Sequence, residues 1–208
     1  MPDDPKDTYA LIRDINVLWK DIYPYLARHI ADVYGRRGGV IMEAGPFCGV
    51  IHELVRQDIG DRYSIASFPE KMKKYFAEQC AWEGQSRTIT IVETGPDLTG
   101  FNDDSVDLVI FRGALFFPSL FTIDYRAIYR VLAAGGCAFI GGGFGKYTPR
   151  GVISPIADRS RELNLLIGKK EVTTGMIDRD LNESSMADRC AIIEEGGLWI
   201  IMRKEDKK

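Results

Sequence analysis

The sequence is poor in the residues that most often announce a function. Its 208 residues include two histidines, His29 and His52, and four cysteines, Cys48, Cys80, Cys137 and Cys190. The cysteines stand far apart with no C-x-x-C pair, which argues against a zinc site and predicts free, mostly buried thiols in a reducing compartment. There is no surplus of positive charge: 27 Lys and Arg against 30 Asp and Glu leave a net charge of −3. A nucleic-acid partner, which needs a basic surface, is therefore not expected. No apolar run reaches the ~18 residues of a membrane span, so no membrane partner is expected either. The opening "MPDDPKDTYA" lacks the basic-then-apolar plan of a secretory signal, and a cytoplasmic location is the expectation. Internal repeats and low-complexity stretches are also absent.

What is present is an alternation. Leu11, Ile15, Leu18, Trp19 and Ile22 recur at helical spacing, and Pro24 restarts or kinks the helix. Tyr25, Leu26, Ile30, Val33 and Tyr34 carry the pattern on to the closing "GRRGG". Residues 8–34 thus read as one kinked helix or two short ones. Next come "GVIMEAG", a strand buried on both faces, and "CGVIHELVRQ", a helix. "RYSIAS" reads as a strand, and "PEKMKKYFAEQCAWEG" as a helix with Pro69 in its first turn. "TITIVE" and "SVDLVIFRGAL" are strands, "TIDYRAIYRVLAAGG" is a helix ending in glycines, and "CAFIGGG" is a fifth strand. A helix, "PIADRSRELNLLIG", and a hairpin, "CAIIEEGGLWIIM", close the chain.

Strands alternating with helices imply a parallel sheet covered on both faces. Ligands in such sheets bind at the carboxyl ends of the strands, near the switch point in strand order. That places residues 43–49, 66–69, 111–115 and 141–145 around one crevice. Glycines around residues 141–145 supply mobile backbone there, and "ALFFPSLF" puts Phe116 and Phe117 just beyond the fourth strand.

The turn "EAGPFCG", the "SFPEKM" after strand two, "DDSVDLVIFRGALFF", "AIYRVLAAGGCAFIGGG" and the closing "GGLWIIMRK" together resemble the class I S-adenosylmethionine-dependent methyltransferases, in a type 11-like form. The resemblance runs over roughly residues 40–204. It implies a Rossmann-like α/β fold: a doubly wound sheet of seven strands, six parallel and one antiparallel, with helices on both faces and N-terminal helices added. The expected organisation is one domain, with a helical extension (1–38), a Rossmann-like core (39–204) and a frayed tail (205–208). It also implies S-adenosylmethionine across the strand ends, held by Glu43, Ala44, Gly45, Pro46, Phe47 and Gly49.

The same resemblance locates the departures. Phe47 stands where the middle glycine of the turn falls, and it either fills the cofactor's space or swings aside and packs on it. The ribose-binding acid falls at Ala66, beside Ser67 and Phe68, and the adenine-contacting acid at Gly95, with Asp97 two residues on. Arg112 belongs to the cofactor site, holds a substrate carboxylate or forms a structural ion pair, while Phe116 and Tyr147 face the substrate. His52 is a base in the crevice or a partly exposed helix residue. The expected function is methyl transfer to a small molecule, with no catalytic residue assigned. The alternative is a non-catalytic member of the fold that binds or scaffolds, and the N-terminal helices offer a surface for pairing two copies.

Overall fold

In the computed structural model, residues 5–206 are described, with side chains from residue 8. The amphipathic start forms two helices, α1 (Pro5–Leu18) and α2 (Tyr23–Tyr34), joined by a 3-10 turn over Lys20–Ile22. Pro24 lies in the first turn of α2, where its missing N–H breaks no helical bond. Gly35, at φ +71°, ends α2 in the left-handed conformation.

The sheet comprises β1 (Val40–Ala44), β2 (Arg62–Ser67), β3 (Ile89–Glu93), β4 (Val106–Arg112), β5 (Leu132–Gly142), β6 (Cys190–Ile193) and β7 (Leu198–Arg203). Its order is β3-β2-β1-β4-β5-β7-β6. The first five strands pair in parallel, and β7 runs antiparallel to both β5 and β6. Six strands therefore point one way and one the other, and order reverses between β1 and β4. The helices α3 (Val50–Arg56), α4 (Met72–Trp82), α5 (Tyr125–Val131), α6 (Arg150–Ile167) and α7 (Thr174–Glu183) complete the fold.

Three local readings change. The helix after β2 starts at Met72, and Pro69 lies ahead of it behind a cis Phe68–Pro69 bond. The helix before β5 stops at Val131, because "LAAGG" is already extended and pairs along β4 and back to Lys204. Helix α7 is an addition to that reading: Ile177 and Leu181, one turn apart, bury against the body, and Thr173 caps it by accepting from the Met176 N–H. At the tail, Glu205 pairs with Arg189 at 3.0 Å, and Lys207 and Lys208 lie outside the described residues.

The N-terminal helices are part of the body. α1 packs on α6, and α2 packs on α3 and β5. Ile12, Ile22, Leu26, Ala27 and Ile30 are completely buried by that packing. Among the described residues no helix is long and apolar enough to cross a membrane.

Candidate active site

The turn after β1 is built to be approached closely. Gly45 takes φ +88°, and a Cβ on it would lie 2.6 Å from Phe111 Cε2, so only glycine fits. A Cβ at Gly49 would stand 2.6 Å from the Tyr23 ring. Beneath them Ala44 pairs with Ala66, and the Gly45 N–H donates to the Ala66 carbonyl at 3.0 Å.

Aromatic rings of the chain itself occupy the space above this turn. Phe47 is 3% exposed, and its ring centroid lies 4.6 Å from that of Phe117. Gly113 makes room for it: a Cβ there would meet Phe47 Cδ2 at 2.4 Å. Phe68, also 3% exposed, packs edge-on against Phe111 at 5.5 Å and Phe121 at 5.8 Å. The ends of β1, β2 and β4 are therefore roofed by five phenylalanines.

Polar groups lie under that roof. Glu43 is fully buried, and its Oε2 accepts from the Gly49 and Ile51 N–H groups at 2.8 and 2.9 Å. Burial pushes its carboxyl above the usual carboxylate range, partly offset by Arg112 and by those backbone donors. Glu43 Oε1 has no hydrogen-bond partner, and Arg112 Nη1 stands 4.0 Å away. Arg112 is itself buried, its guanidinium 4.7 Å from the Tyr23 ring centroid and 5.0 Å from that of Trp19. Helix α1 reaches in as well: Asn16 Nδ2 donates to the Pro46 carbonyl at 2.9 Å, and the Tyr23 hydroxyl donates to the Asn16 carbonyl at 3.0 Å.

Four buried polar atoms at this end of the sheet lack a hydrogen bond: Asn16 Oδ1, Ser67 Oγ, and the facing pair Glu43 Oε1 and Arg112 Nη1. Each such group costs about 1–3 kcal/mol when left unsatisfied. Folded chains rarely carry that many in one place unless a ligand or water completes them.

Next to the roofed crevice is a chamber of about 690 Å³, bounded by Arg112, Gly113, Phe116, Gly142 and Gly143 from the strand ends. Ile15 of α1 and Trp19, just after that helix, close one side, and Ser160 and Asn164 of α6 another. Phe47 forms the wall it shares with the crevice. Trp19 stacks on Phe144 at 4.8 Å and donates its Nε1–H to Ser160 Oγ at 2.9 Å, tying both helices across the opening. Lys169 also lines it; although exposed overall, its ammonium group sits 4.9 Å from the Phe116 ring, and desolvation lowers its pKa.

The fold brings Glu43, Ala44, Gly45, Pro46, Phe47, Gly49, Ser67, Phe68 and Arg112 to one end of the sheet, with Phe116 on the chamber wall. Ser67, not Ala66, is the last residue of β2. Asp97 is exposed beyond β3, where its backbone carbonyl accepts from Arg130 at 3.2 Å. Tyr147 does not line the chamber; its hydroxyl donates to Asp32 of α2, and Arg28 lies over its ring at 4.2 Å. His52 is buried, not partly exposed, and its Nδ1 lies 2.6 Å from Gln85 Oε1. Asn16, Trp19 and Tyr23 escape the sequence reading. The available signal was Asn16, a polar residue inside the apolar stripe of α1.

The donor and acceptor set suits a polar, nucleoside-like group: an acid that holds the turn, a hydroxyl ending β2 and a free guanidinium N–H. The space suits it less, since Phe47 and Phe68 must turn aside for an adenosyl group to lie on the turn.

No family model matches the chain, and no curated protein matches it. Solved structures do, and the fold they define is that of the S-adenosylmethionine-dependent methyltransferases. In particular, the chain is similar to a Methanococcus maripaludis protein proposed to be such a methyltransferase, with TM-score 0.77 and 24% identity, covering 99% of this chain and 95% of that one. It is also similar to PigF, crystallised with SAH, at TM-score 0.62 and 17% identity over 96% of this chain and 59% of that one. A third is geranyl diphosphate C-methyltransferase from Streptomyces coelicolor, solved with S-adenosyl-L-homocysteine, at TM-score 0.55 and 12% identity over 85% and 73%.

Proposed function

We propose that the chain is an S-adenosylmethionine-dependent methyltransferase acting on a small molecule. The observation that carries this reading is the set of four buried polar atoms without a hydrogen bond at the ends of β1, β2 and β4. They are costly in an empty protein and useful in a liganded one. Glu43, Gly45 and Gly49 would hold the cofactor through the turn, Ser67 and Phe68 would meet its ribose side, and Asp97, beyond β3, would lie toward its adenine side. When bound, the cofactor supplies an electrophilic methyl group. The chain's own part is alignment and water exclusion, which is most of what an in-line displacement requires. Trp19, Phe116 and Phe144 give the chamber apolar walls, and α1 and α6 both border it. Three of the four free thiols are buried, in keeping with a reducing, cytoplasmic setting. Pairing of two copies would use the open side of α1, where Val17 is exposed.

A second reading is favoured by one observation: Phe47 and Phe68 are packed into the crevice as core residues. On that reading the protein keeps the fold, binds its ligand in the chamber and transfers nothing. Calorimetric titration with S-adenosylmethionine and S-adenosylhomocysteine separates the two. Micromolar binding by the wild type is the expected result. Binding by Phe47→Gly alone would mean a plugged crevice and the second reading, and no binding by either would remove the methyltransferase reading.

A further inference from the structure

We propose that the chamber takes a small apolar acid, whose carboxylate is held by the free guanidinium edge of Arg112. The inference rests on the reading above insofar as the chamber is the acceptor's side of the site.

Arg112 is a cation in an unusual position. Its side chain is 7% exposed and forms part of the chamber wall. The guanidinium carbon lies over the Tyr23 and Trp19 rings, 4.7 and 5.0 Å from their centroids, which favours the cation where it stands. Nη1 has no acceptor. Its one acid, Glu43, is at 4.0 Å, beyond hydrogen-bond reach, and the other oxygen of that carboxylate is committed to two backbone donors. Coulomb attraction to Glu43 makes the buried charge tolerable without satisfying its N–H. An incoming carboxylate would do both, and guanidinium geometry matches it.

The remaining lining agrees with an anion on an apolar body. The chamber's charged residues are Arg112, Arg161, Lys169 and Lys170 against Glu171. Arg161 has Asp158 at 3.3 Å, while among the described residues neither Lys169 nor Lys170 has a carboxylate within ion-pair distance. Cations at the rim steer an anion inward. Past them the walls are Ile15, Trp19, Phe47, Phe116, Phe117 and Phe144, which offer an organic body apolar and aromatic surface.

The test compares acids with their own amides on the intact wild-type chain by calorimetry: phenylacetate, indole-3-acetate and octanoate, each against the matching carboxamide. A hydrogen bond to a charged group is worth about 1.5–3 kcal/mol, so at least one acid should bind roughly ten- to a hundredfold tighter than its amide. Arg112→Gln should erase that preference and Arg112→Lys should keep part of it. The double rim variant Lys169→Gln/Lys170→Gln should change the acid-to-amide ratio less than about threefold, and it needs no buried substitution to fold. Equal binding of acids and amides, no binding of any probe, or loss of the preference in the rim variant would each overturn the inference. So would mutual exclusion between the acid and S-adenosylhomocysteine, which would give Arg112 to the cofactor's own carboxylate. Failure to bind S-adenosylhomocysteine, with the acid preference intact, would remove the methyltransferase reading and leave the carboxylate site standing.

Discussion

Two halves of the same sheet end have opposite fillings. Over β1 and β2 the loops carry Phe47 and Phe68, which close the crevice with side chains buried to 3% exposure. Over β4 and β5 they carry Gly113, Gly142 and Gly143, and a chamber of about 690 Å³ remains. The backbone course is the ordinary one on both sides of the switch point. The difference comes from a handful of side chains: rings where close approach needs glycine, and glycines where the walls need room. Phe47 and Gly113 are complementary, since the missing Cβ of one is the space filled by the other.

The comparison can be broken most sharply at Glu43. Glu43→Ala would leave the Gly49 and Ile51 N–H groups without their acceptor and Arg112 without its counter-charge, a loss on the order of 5 kcal/mol in urea denaturation. Glu43→Gln, which still accepts from the turn, should lose markedly less.

Phe47→Ala tests the roof. Removing a buried ring should cost about 3–4 kcal/mol of stability while tightening S-adenosylhomocysteine binding at least tenfold. A stability loss with no gain in affinity would show that the ring is core and nothing more. From the facing side, Gly113→Ala should cost about 1–3 kcal/mol, because its Cβ would meet the Phe47 ring at 2.4 Å and its φ is +70°. In the Phe47→Ala background the steric part should vanish, and a double-mutant cycle reads that coupling.

The smallest effect is one of pH. Burial pushes His29 and His52 below the ordinary 6.5. The unfolded chain then binds protons that the folded chain refuses, so their contribution to stability is full above pH 6.5 and is lost as pH falls below it. Glu43, raised by burial, has the opposite slope, because the folded chain holds its proton to higher pH. The difference between wild type and His29→Gln/His52→Gln, followed by denaturation from pH 5.5 to 7.5, isolates the histidine part. Stability of the wild type should rise relative to the variant across that range.

Much of this architecture was legible because it follows from short-range rules. Periodicity located the strands, proline and glycine marked where α2 starts and ends, and alternation forced a parallel sheet with its site at the carboxyl ends. The early end of α5 was not legible, and α7 offered only the Ile177–Leu181 spacing and the Thr173 cap as local signals. Ile177 and Leu181 bury only through tertiary contact, and "LAAGG" is extended only because β4 and the chain after β7 lie beside it. At the carboxyl end of the sheet, Glu43, Gly45 and Gly49 follow from the turn alone, whereas the place of Tyr147 does not follow from its neighbours in sequence, because Asp32 and Arg28 on the surface of α2 engage it.

The sequence by itself determined the alternation, the turn acid with its flanking glycines, and the presence of a ring at residue 47. Local spacing and residue chemistry are enough for those. Only the tertiary structure decided that Phe47 lies against Gly113 and Phe117, that Asn16, Trp19 and Tyr23 of the leading helices enter the site, and that Arg112 is buried with a free N–H. Those facts depend on which distant segments meet, and packing, which conformational pattern alone does not encode, settles that.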